Sequence, residues 1–316
     1  MQISFLGVGL MGHPMATRLI NAGFDLHLWN RSPSKIDCFK ASASLYDELS
    51  LAIKNADVVI TMLENGDVVD QVLYQSDAYK RLKNDVICID MSSIPPSMAR
   101  KHAQLIKEQG GHYLDAPVSG GTSGAEKGTL SIMVGGERDQ FTKVLTLLNI
   151  MGNSTYIGEA GCGQLCKLAN QAIVGITIGA VSEALLLASK AGADPEAVLK
   201  ALSGGFASSR ILELHGRRML DRNFEPGATS RVQLKDMKTV LDEARIENLS
   251  LPLSQRTYES YLSLVANGNE NVDHSGLLLE LEHLNGVRLV CSKLGCEMDN
   301  AFDKRLDTQK QNNNEK

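Results

Sequence analysis

Three glycines near the start of the chain have the spacing of a phosphate-binding loop. Gly7, Gly9 and Gly12 form a GxGxxG pattern that follows a short apolar segment and opens a predicted helix. In such a loop the first glycine permits a tight turn, the second lets the backbone approach a pyrophosphate, and the third lets helix and strand pack closely. The N–H groups at the helix N-terminus attract the anion. The pattern predicts dinucleotide binding at this loop, including Leu10 and Met11, although glycines can also serve only the turn.

The residues after the second predicted strand bear on the choice of dinucleotide. An NAD-specific loop usually has an acidic side chain here, which bonds the ribose 2′-hydroxyl and repels a 2′-phosphate. This chain has Asn30, Arg31 and Ser32 instead. Arg31 can pair with a 2′-phosphate, and its two neighbours can donate hydrogen bonds to it. We therefore expect NADP(H) to be preferred over NAD(H); the alternatives are that Arg31 is solvated or stacks on the adenine.

A serine and two glycines in the segment DAPVSGG have the chemistry of a carboxylate-binding loop. Ser119 supplies a hydroxyl, and Gly120 and Gly121 supply two flexible backbone amides. Successive backbone N–H groups of this kind can form a concave anion site. An ordinary glycine-rich turn is the alternative that the motif leaves open.

A lysine and two amides share one face of a predicted helix in the segment GCGQLCKLANQ. Asn170 and Gln171 follow Lys167 by three and four residues, which is the spacing of neighbours on a helix surface. The helix is otherwise apolar, so an inward lysine needs partners or a chemical task. A charged lysine, with an ordinary pKa of about 10.4, can donate a proton to a carbonyl that becomes an alkoxide. A surface lysine at a helix start is the alternative, and Lys235-Asp236 later in the chain is by itself only a charged pair.

Segments of strand and helix length must hold these residues in place. Strands are predicted at residues 3–6, 26–29, 58–62, 86–90, 113–116 and 131–134, with helices between them. A long apolar helix at 164–191 is followed by helices at 195–202, 208–220, 232–247, 252–266 and 275–284. This order predicts an α/β Rossmann-type, doubly wound parallel sheet plus an all-α C-terminal domain joined by a long helix. The expected domains are an NADP-binding domain at 1–160, a helical substrate and oligomerisation domain at 161–290, and a polar tail at 291–316 that we expect to be disordered.

Composition and charge limit the class of protein. The 316 residues are 43% hydrophobic and 22% charged, with a net charge of −5. These values are typical of a globular protein, and the sequence has no basic cluster for nucleic acid. The start lacks the cationic segment of a signal peptide, and the long helix contains too many polar residues for a membrane span. We therefore expect a cytoplasmic protein that binds a small carboxylate-bearing substrate, with neither nucleic acid nor membrane as a partner.

The cysteines are scattered and form no CxxC pair. In a chain of this length without a secretory signature, they are expected to be reduced thiols in the cytoplasm, and we expect no metal site. The six are Cys38, Cys88, Cys162, Cys166, Cys291 and Cys296.

Four motifs together resemble those of the β-hydroxyacid dehydrogenase family. GVGLMGHPMA, DAPVSGG, GCGQLCKLANQ and LKDM occur in that family's order and spacing, and the likeness covers about residues 1–285. The resemblance implies NADP(H)-dependent interconversion of a small carboxylate-bearing semialdehyde and its hydroxyacid, with Lys167 as general acid and base. It assigns substrate binding to the glycine loop, to the two amides beside the lysine and to a later pair that closes over substrate and nicotinamide: Ser119, Gly120, Gly121, Asn170, Gln171, Lys235 and Asp236.

The same resemblance implies further cofactor contacts and an assembly. Lys235 would also contact the cofactor, and two segments match those that line the dinucleotide in the family: Met62, Leu63, Ser92 and Ser93. Family members are often dimers or tetramers, so a homodimer or homotetramer is implied.

Within the family, two segments are most similar to the reductases of tartronate semialdehyde. These are residues 224–237 and Asp273-His274-Ser275, so the resemblance implies tartronate semialdehyde and glycerate as the reacting pair. Oxidation of 3-hydroxyisobutyrate and reduction of glyoxylate or succinic semialdehyde stay open as alternatives. A catalytically inactive NADP-binding protein is the non-enzyme alternative, and the presence of Lys167 argues against it.

Overall fold

The computed structural model of the protein describes residues 1–290, so the tail predicted at 291–316 lies outside the described residues. Contacts divide the chain into two compact units. Unit 1 consists of Met1–Ala172 and Asp236–Leu251, and unit 2 contains Ile173–Lys235 and the described residues from Pro252 onward. Residues 161–172, which the sequence assigns to the second domain, therefore lie in unit 1. The predicted domain boundaries themselves stay a prediction.

Unit 1 is built on a nine-stranded sheet. Its strands are β1 (Gln2–Leu6), β2 (Asp25–Trp29), β3 (Ser44–Tyr46), β4 (Val58–Thr61), β5 (Ile87–Asp90), β6 (His112–Asp115), β7 (Val118–Ser119), β8 (Leu130–Gly136) and β9 (Gly152–Gly158). The spatial order is β3-β2-β1-β4-β5-β6-β8-β7, with β9 paired to β8. From β3 to β6 every neighbouring pair is parallel. This order confirms the predicted Rossmann-type fold class.

One edge of the sheet departs from the predicted parallel arrangement. β8 pairs antiparallel with both β6 and β7, and parallel with β9. An antiparallel edge on a parallel sheet is common in doubly wound folds. The sequence does not predict β7 and β9, because β7 has two residues and β9 has the polar sequence GNSTYIG. The predicted parallel arrangement therefore holds for the main part of the sheet and does not extend to this edge.

Successive residues of the central strands enter two separate cores, one on each face of the sheet. Val58 and Ile60 belong to one buried cluster, together with residues of helices α1 and α6, whereas Val59 belongs to the other, with residues of α4. Because both faces are covered, the central strands consist mostly of apolar residues. The helices of this part are α1 (Gly12–Asn21), α2 (Leu49–Ile53), α3 (Gly66–Val69), α4 (Pro96–Glu108), α5 (Gly121–Lys127) and α6 (Arg138–Met151).

The later part of the chain is helical, as predicted. A long helix, α7, spans Cys162–Lys190, close to the predicted residues 164–191. It is followed by α8 (Pro195–Ser203), α9 (Arg217–Leu220), α10 (Ser230–Ile246), α11 (Pro252–Ala266) and α12 (Leu277–Asn285). A π-helical turn at Leu212–Gly216 precedes α9. Within the described residues of unit 2, strand pairing is limited to an isolated bridge between Thr229 and Asp273.

One described helix, α7, is long and apolar enough to cross a membrane by length and composition. A helix that is buried in the core of a soluble protein can meet the same criterion. The expectation of a protein without a membrane partner therefore stays a prediction.

Candidate active site

The loop between β1 and α1 requires glycine at two of its three positions for reasons internal to the protein. Gly7 has a φ of 99°, and a Cβ there would lie 2.4 Å from the carbonyl oxygen of Met62. A Cβ on Gly12 would lie 2.0 Å from the carbonyl oxygen of Gly7. The tight turn and the close packing of helix on strand therefore account for both residues.

Gly9 is different, because nothing in the described structure requires it. A Cβ at this position would meet no atom of the described residues within 4 Å, its chain neighbours aside. The space lies beside the N-terminus of α1, where unpaired N–H groups favour an anion. A side chain at position 9 would fill the place where a pyrophosphate can approach the backbone, so the residues present fit a dinucleotide. Met11 is half-buried, and Leu10 is 86% exposed and available to cover a ligand.

Asn30, at the end of β2, holds the glycine loop. Its Oδ1 accepts a hydrogen bond from the Val8 backbone N–H at 2.9 Å, and its Nδ2 donates to the Ser32 carbonyl oxygen at 3.0 Å. This contact with the loop is not foreseen from the sequence, which assigns Asn30 to a 2′-phosphate. Arg31 and Ser32 are exposed, so their side chains can reach a ligand at this end of the strand.

The loops after β4 and β5 are tied together by a serine and a buried aspartate. The Leu63 N–H donates to Ser92 Oγ at 3.0 Å. Asp90 Oδ1 accepts from the Ser92 N–H at 2.9 Å and from Thr61 Oγ1 at 2.8 Å. Burial raises the pKa of Asp90 to about 6, although the hydrogen bonds from Ser92 and Thr61 oppose the shift. Met62 and Ser93 are half-buried beside these anchored residues.

The first turn of α7 is fixed to the end of β6 by a second buried aspartate. Asp115 Oδ1 accepts from the Gly161 N–H and Oδ2 from the Gln164 N–H, both at 2.8 Å. Burial raises the pKa of Asp115 above its ordinary value, against these hydrogen bonds. A Cβ on Gly163 would lie 2.4 Å from the Met133 carbonyl oxygen, so glycine lets the turn pack directly on β8. The position of the helix is therefore set by the sheet.

Lys167 lies in the second turn of α7, in a hydrogen-bonded chain of polar side chains. Its Nζ donates to Gln171 Oε1 at 3.0 Å, and Asn170 Nδ2 donates to the same oxygen at 2.8 Å. Gln171 Nε2 donates to Asp236 Oδ2, in α10, at 2.5 Å. The predicted cluster of one lysine and two amides thus exists, and Asp236 completes it within unit 1.

The serine of the predicted carboxylate loop reaches this cluster. Ser119 Oγ donates to Asn170 Oδ1 at 3.4 Å. Gly120 and Gly121 are exposed and have φ values of 136° and 63°, which other residues rarely adopt. A Cβ on Gly121 would meet no described atom within 4 Å, its chain neighbours and the backbone of its own helix aside. The loop therefore has open backbone beside Ser119, as an anion site requires.

Asp236 contacts the Gln171 amide through its carboxylate, a contact that the resemblance does not imply. The substrate-binding role that the resemblance implies for Asp236 stays a prediction. Lys235 precedes it in α10 and belongs to unit 2. Its predicted contact with substrate and nicotinamide stays a prediction.

A second polar cluster lies in unit 2 and has the residue types of a metal site. Ligand atoms of His215, Asp273 and His274 lie within 4.8 Å of one another, and all three residues are buried. However, Asp273 already accepts hydrogen bonds from Ser275 N and Oγ and from the N–H groups of residues 227 and 228, and Arg218 Nε lies 3.5 Å away. Burial raises the pKa of Asp273. The contacts with His215 and Ser275 and the charge of His274 outweigh burial and hold this pKa well below its usual range. We interpret the hydrogen bonds of Asp273 as the contacts that hold the backbone around residues 273–275 in place.

Three supporting residues were not identified as candidates from the sequence. Asp90 and Asp115 are the last residues of buried strands, and Gln164 lies between the glycine and the lysine of GCGQLCK. An acidic residue at the end of an apolar strand is the signal that could have found the first two, because buried charge needs partners. Nothing in the sequence indicates what Gln164 contacts.

Family comparisons agree with these features. The model described as the NAD binding domain of 6-phosphogluconate dehydrogenase matches residues 2–159. The model described as NAD-binding of NADP-dependent 3-hydroxyisobutyrate dehydrogenase matches residues 161–281. Both regions contain the motifs identified above.

Similar proteins have named activities. The chain is 44% identical over 292 residues to the 2-hydroxy-3-oxopropionate reductase of Escherichia coli (strain K12), covering 92% of this chain and 100% of the relative. It is 34% identical over 282 residues to the mitochondrial 3-hydroxyisobutyrate dehydrogenase of Drosophila melanogaster, covering 86% and 87%. The structure of Mycobacterium tuberculosis 3-hydroxyisobutyrate dehydrogenase with L-serine has a TM-score of 0.82 and 28% identity, covering 89% and 98%. The chain therefore belongs to the 3-hydroxyisobutyrate dehydrogenase family of NAD(P)-dependent oxidoreductases that act on CH–OH groups.

Proposed function

We propose that the protein interconverts a small carboxylate-bearing semialdehyde and its hydroxyacid with NADP(H), and that tartronate semialdehyde and glycerate are the preferred pair. The observation that carries the proposal is the chain from Lys167 through Gln171 to Asp236, with Nζ···Oε1 at 3.0 Å and Nε2···Oδ2 at 2.5 Å. This chain of hydrogen-bonded side chains holds the proton donor Lys167 in the same cluster as Asn170, which contacts Ser119 of the glycine loop.

Asp236 decides which way the Gln171 amide faces. An ionised carboxylate accepts hydrogen bonds but cannot donate them, so the amide nitrogen of Gln171 turns toward Asp236. The amide oxygen must then face Lys167, whose ammonium can only donate. The reverse orientation would put two acceptors together at one end and two donors at the other. The carboxylate thereby orients the amide oxygen that accepts from the ammonium.

The lysine is then placed to exchange a proton with the reacting oxygen. When bound, the reduced nicotinamide supplies a hydride to the carbonyl carbon of the substrate. Lys167 donates a proton to the carbonyl oxygen as negative charge develops on it, and it takes the proton back in the oxidative direction. Because Gln171 fixes one N–H direction of the ammonium, the others are directed in space before the substrate arrives.

The loop around Ser119 supports a small substrate with a carboxylate. The hydroxyl and the backbone N–H groups of Gly120 and Gly121 are donors for an anion. Ser119 is 3.4 Å from Asn170, which itself contacts Gln171. The carboxylate site and the proton donor are therefore linked through the two amide side chains of Asn170 and Gln171, which supports a small substrate that spans both. The M. tuberculosis relative, described with L-serine, also supports a ligand of that size.

The residues at the end of β2 support NADP(H) over NAD(H). No acidic side chain occupies positions 30–32, and Arg31 is exposed there. A guanidinium matches a phosphate with two parallel hydrogen bonds. The family description of the second region, which names an NADP-dependent enzyme, supports the same preference.

A substrate screen tests the proposed reaction. NADPH oxidation is followed at 340 nm with tartronate semialdehyde, methylmalonate semialdehyde, succinic semialdehyde and glyoxylate. We expect the highest kcat/KM with tartronate semialdehyde, as the name of the E. coli relative suggests. A higher kcat/KM with another aldehyde would contradict tartronate semialdehyde as the preferred substrate. No oxidation of NADPH with any of the four would contradict the proposed function.

The exposed face of α7 supports a homo-oligomer. Ile173, Ala180 and Leu187 are all exposed and recur every seven residues, so they form one apolar stripe. A second copy of the chain can cover the stripe by pairing the same face. We expect a dimer or tetramer by light scattering and a smaller species for Leu187→Glu. A monomeric wild-type protein would contradict the assembly.

A further inference from the structure

The side chain of Gln164 bridges two parts of unit 1 that carry different predicted tasks. It is 1% exposed and lies in the first turn of α7, three residues before Lys167. Its Nε2 donates to the Ser92 carbonyl oxygen at 2.8 Å, and its Oε1 accepts from the Ile94 N–H at 3.2 Å. Its own backbone N–H donates to Asp115. One residue therefore joins the ends of β5 and β6 to the helix that holds the lysine.

The bridge continues into the next loop. Ser92, whose carbonyl accepts from Gln164, also accepts from the Leu63 N–H through its Oγ, and Asp90 holds its N–H. Ser92 and Ile94 are buried, so water cannot easily replace the amide at either atom. A movement of the loops after β4 and β5 must therefore move Gln164 or break its hydrogen bonds.

Few side chains can make this bridge. The position requires a donor and an acceptor on one planar group, at the end of two methylene groups. Asparagine is one methylene shorter, an ionised glutamate has no donor, and methionine has neither group. Glutamine has the required length and carries both groups whatever the pH.

We propose that Gln164 is a positioning residue that couples dinucleotide binding to the placement of Lys167. The inference rests on the proposed function, in which Lys167 exchanges the proton, and on the family resemblance, which implies that residues 62–63 and 92–93 line the dinucleotide. A ligand that orders the loops also orders the turn of α7 through this amide. By reciprocity, a change at Gln164 that disturbs the helix turn weakens dinucleotide binding.

Gln164→Glu tests the bridge because its hydrogen bonding depends on pH. A protonated glutamic acid can donate to the Ser92 carbonyl and accept from the Ile94 N–H, as the amide does, whereas the ionised form places a negative charge against that carbonyl. Dissociation constants for NADP⁺ are measured by calorimetry between pH 5 and 8 for variant and wild type. We expect the ratio of variant to wild-type Kd to be near one at the acid end and to rise at least about tenfold at pH 8.

Gln140→Glu is the matched control. Gln140 is also a buried glutamine of unit 1, but it lies in α6 and contacts His112. We expect its Kd ratio to stay constant with pH. A constant ratio for Gln164→Glu, with Kd values equal to those of wild type, would overturn the inference. A pH-dependent ratio that is equal in both variants would also overturn it, because any buried carboxyl would then act alike.

Gln164→Met removes the hydrogen bonds while filling a similar volume. We expect the Kd for NADP⁺ to rise about tenfold and kcat to fall about tenfold, with the KM for the aldehyde unchanged. A lower melting temperature with unchanged Kd and kcat would reduce Gln164 to a structural residue and overturn the inference. The binding measurements need no turnover, so a wild-type protein that is inactive in the substrate screen refutes the proposed reaction and leaves the coupling of loop and helix to be judged by Kd.

Discussion

Replacing Asp236 by asparagine tests whether the carboxylate orients the Gln171 amide. The variant keeps the shape of the side chain but removes its charge, and an asparagine can present either a donor or an acceptor to Gln171. In the variant, the Gln171 amide can therefore turn either its nitrogen or its oxygen toward position 236. The lysine loses the fixed acceptor that lies 3.0 Å from its Nζ.

The size of the effect follows from the hydrogen bond that is weakened. A hydrogen bond to a charged group contributes about 1.5–3 kcal/mol. If that free energy holds the lysine in its reactive position, its loss lowers kcat by roughly 10- to 100-fold, at about 1.4 kcal/mol per factor of ten. We expect the KM for NADPH to change little, because the substitution removes the charge at the Gln171 amide.

The assay is steady-state oxidation of NADPH with the aldehyde that the substrate screen selects. Asp242→Asn is the matched control, because Asp242 lies in the same helix and pairs with Lys238 at 2.5 Å and Arg245 at 2.6 Å on the exposed surface. We expect the control to keep wild-type kcat. A kcat for Asp236→Asn within twofold of wild type would refute the reasoning, since the orientation of the amide would then not matter for turnover.

Three further predictions follow from the site. Lys167→Met should lower kcat by about 10²–10⁴-fold with an unchanged Kd for NADP⁺, and near-normal turnover would remove the lysine from the mechanism. Arg31→Ala should raise the KM for NADPH roughly tenfold and leave that for NADH nearly unchanged; equal effects would show that Arg31 does not read the 2′-phosphate. Asp90 has a pKa raised from 3.8 to about 6 by burial, so its stabilising contribution is complete below the lower value and is lost as pH rises through the higher one. In urea unfolding, the stability of wild type relative to Asp90→Asn should therefore fall by about 2 kcal/mol between pH 4 and 7, and a difference that is constant with pH would contradict the assignment.

The parts of the fold that the sequence predicts are those with a strong periodic signal. β4 and β5 are buried along their whole length and are apolar up to their last residue, β1 is mostly apolar, and α7 is a long apolar segment. β3, β7 and β9 give no such signal, because their residues are few or polar and their pairing depends on partners distant in sequence. The antiparallel pairing of β8 with β6 and β7 likewise depends on the tertiary fold, so no local sequence pattern predicts it.

The candidate site divides in the same way. The cluster of Lys167, Asn170 and Gln171 is local, since helical spacing alone brings the three together. The contact of Gln171 with Asp236 spans 65 residues, and that of Gln164 with Ser92 spans 72. No spacing rule connects such positions, so the sequence gives Asp236 a role beside its neighbour Lys235 and gives Gln164 no role.

The two buried aspartates explain how a loop-rich edge of the sheet can hold a precise geometry. Asp90 and Asp115 are register partners at the ends of β5 and β6, and each accepts backbone N–H groups from the segment that it anchors, Ser92 in one case and the first turn of α7 in the other. Burial raises the pKa of both carboxyl groups, which means that keeping them ionised costs folding free energy. We expect buried, ionised aspartates to be kept in spite of this cost where their hydrogen bonds position a functional site. Such a site must hold its groups within a fraction of an ångström. The first turns of α7, which contain Lys167, are therefore held to the sheet through Asp115 and to the loop after β5 through Gln164. We expect a variant that disturbs either anchor to alter turnover before it unfolds the protein.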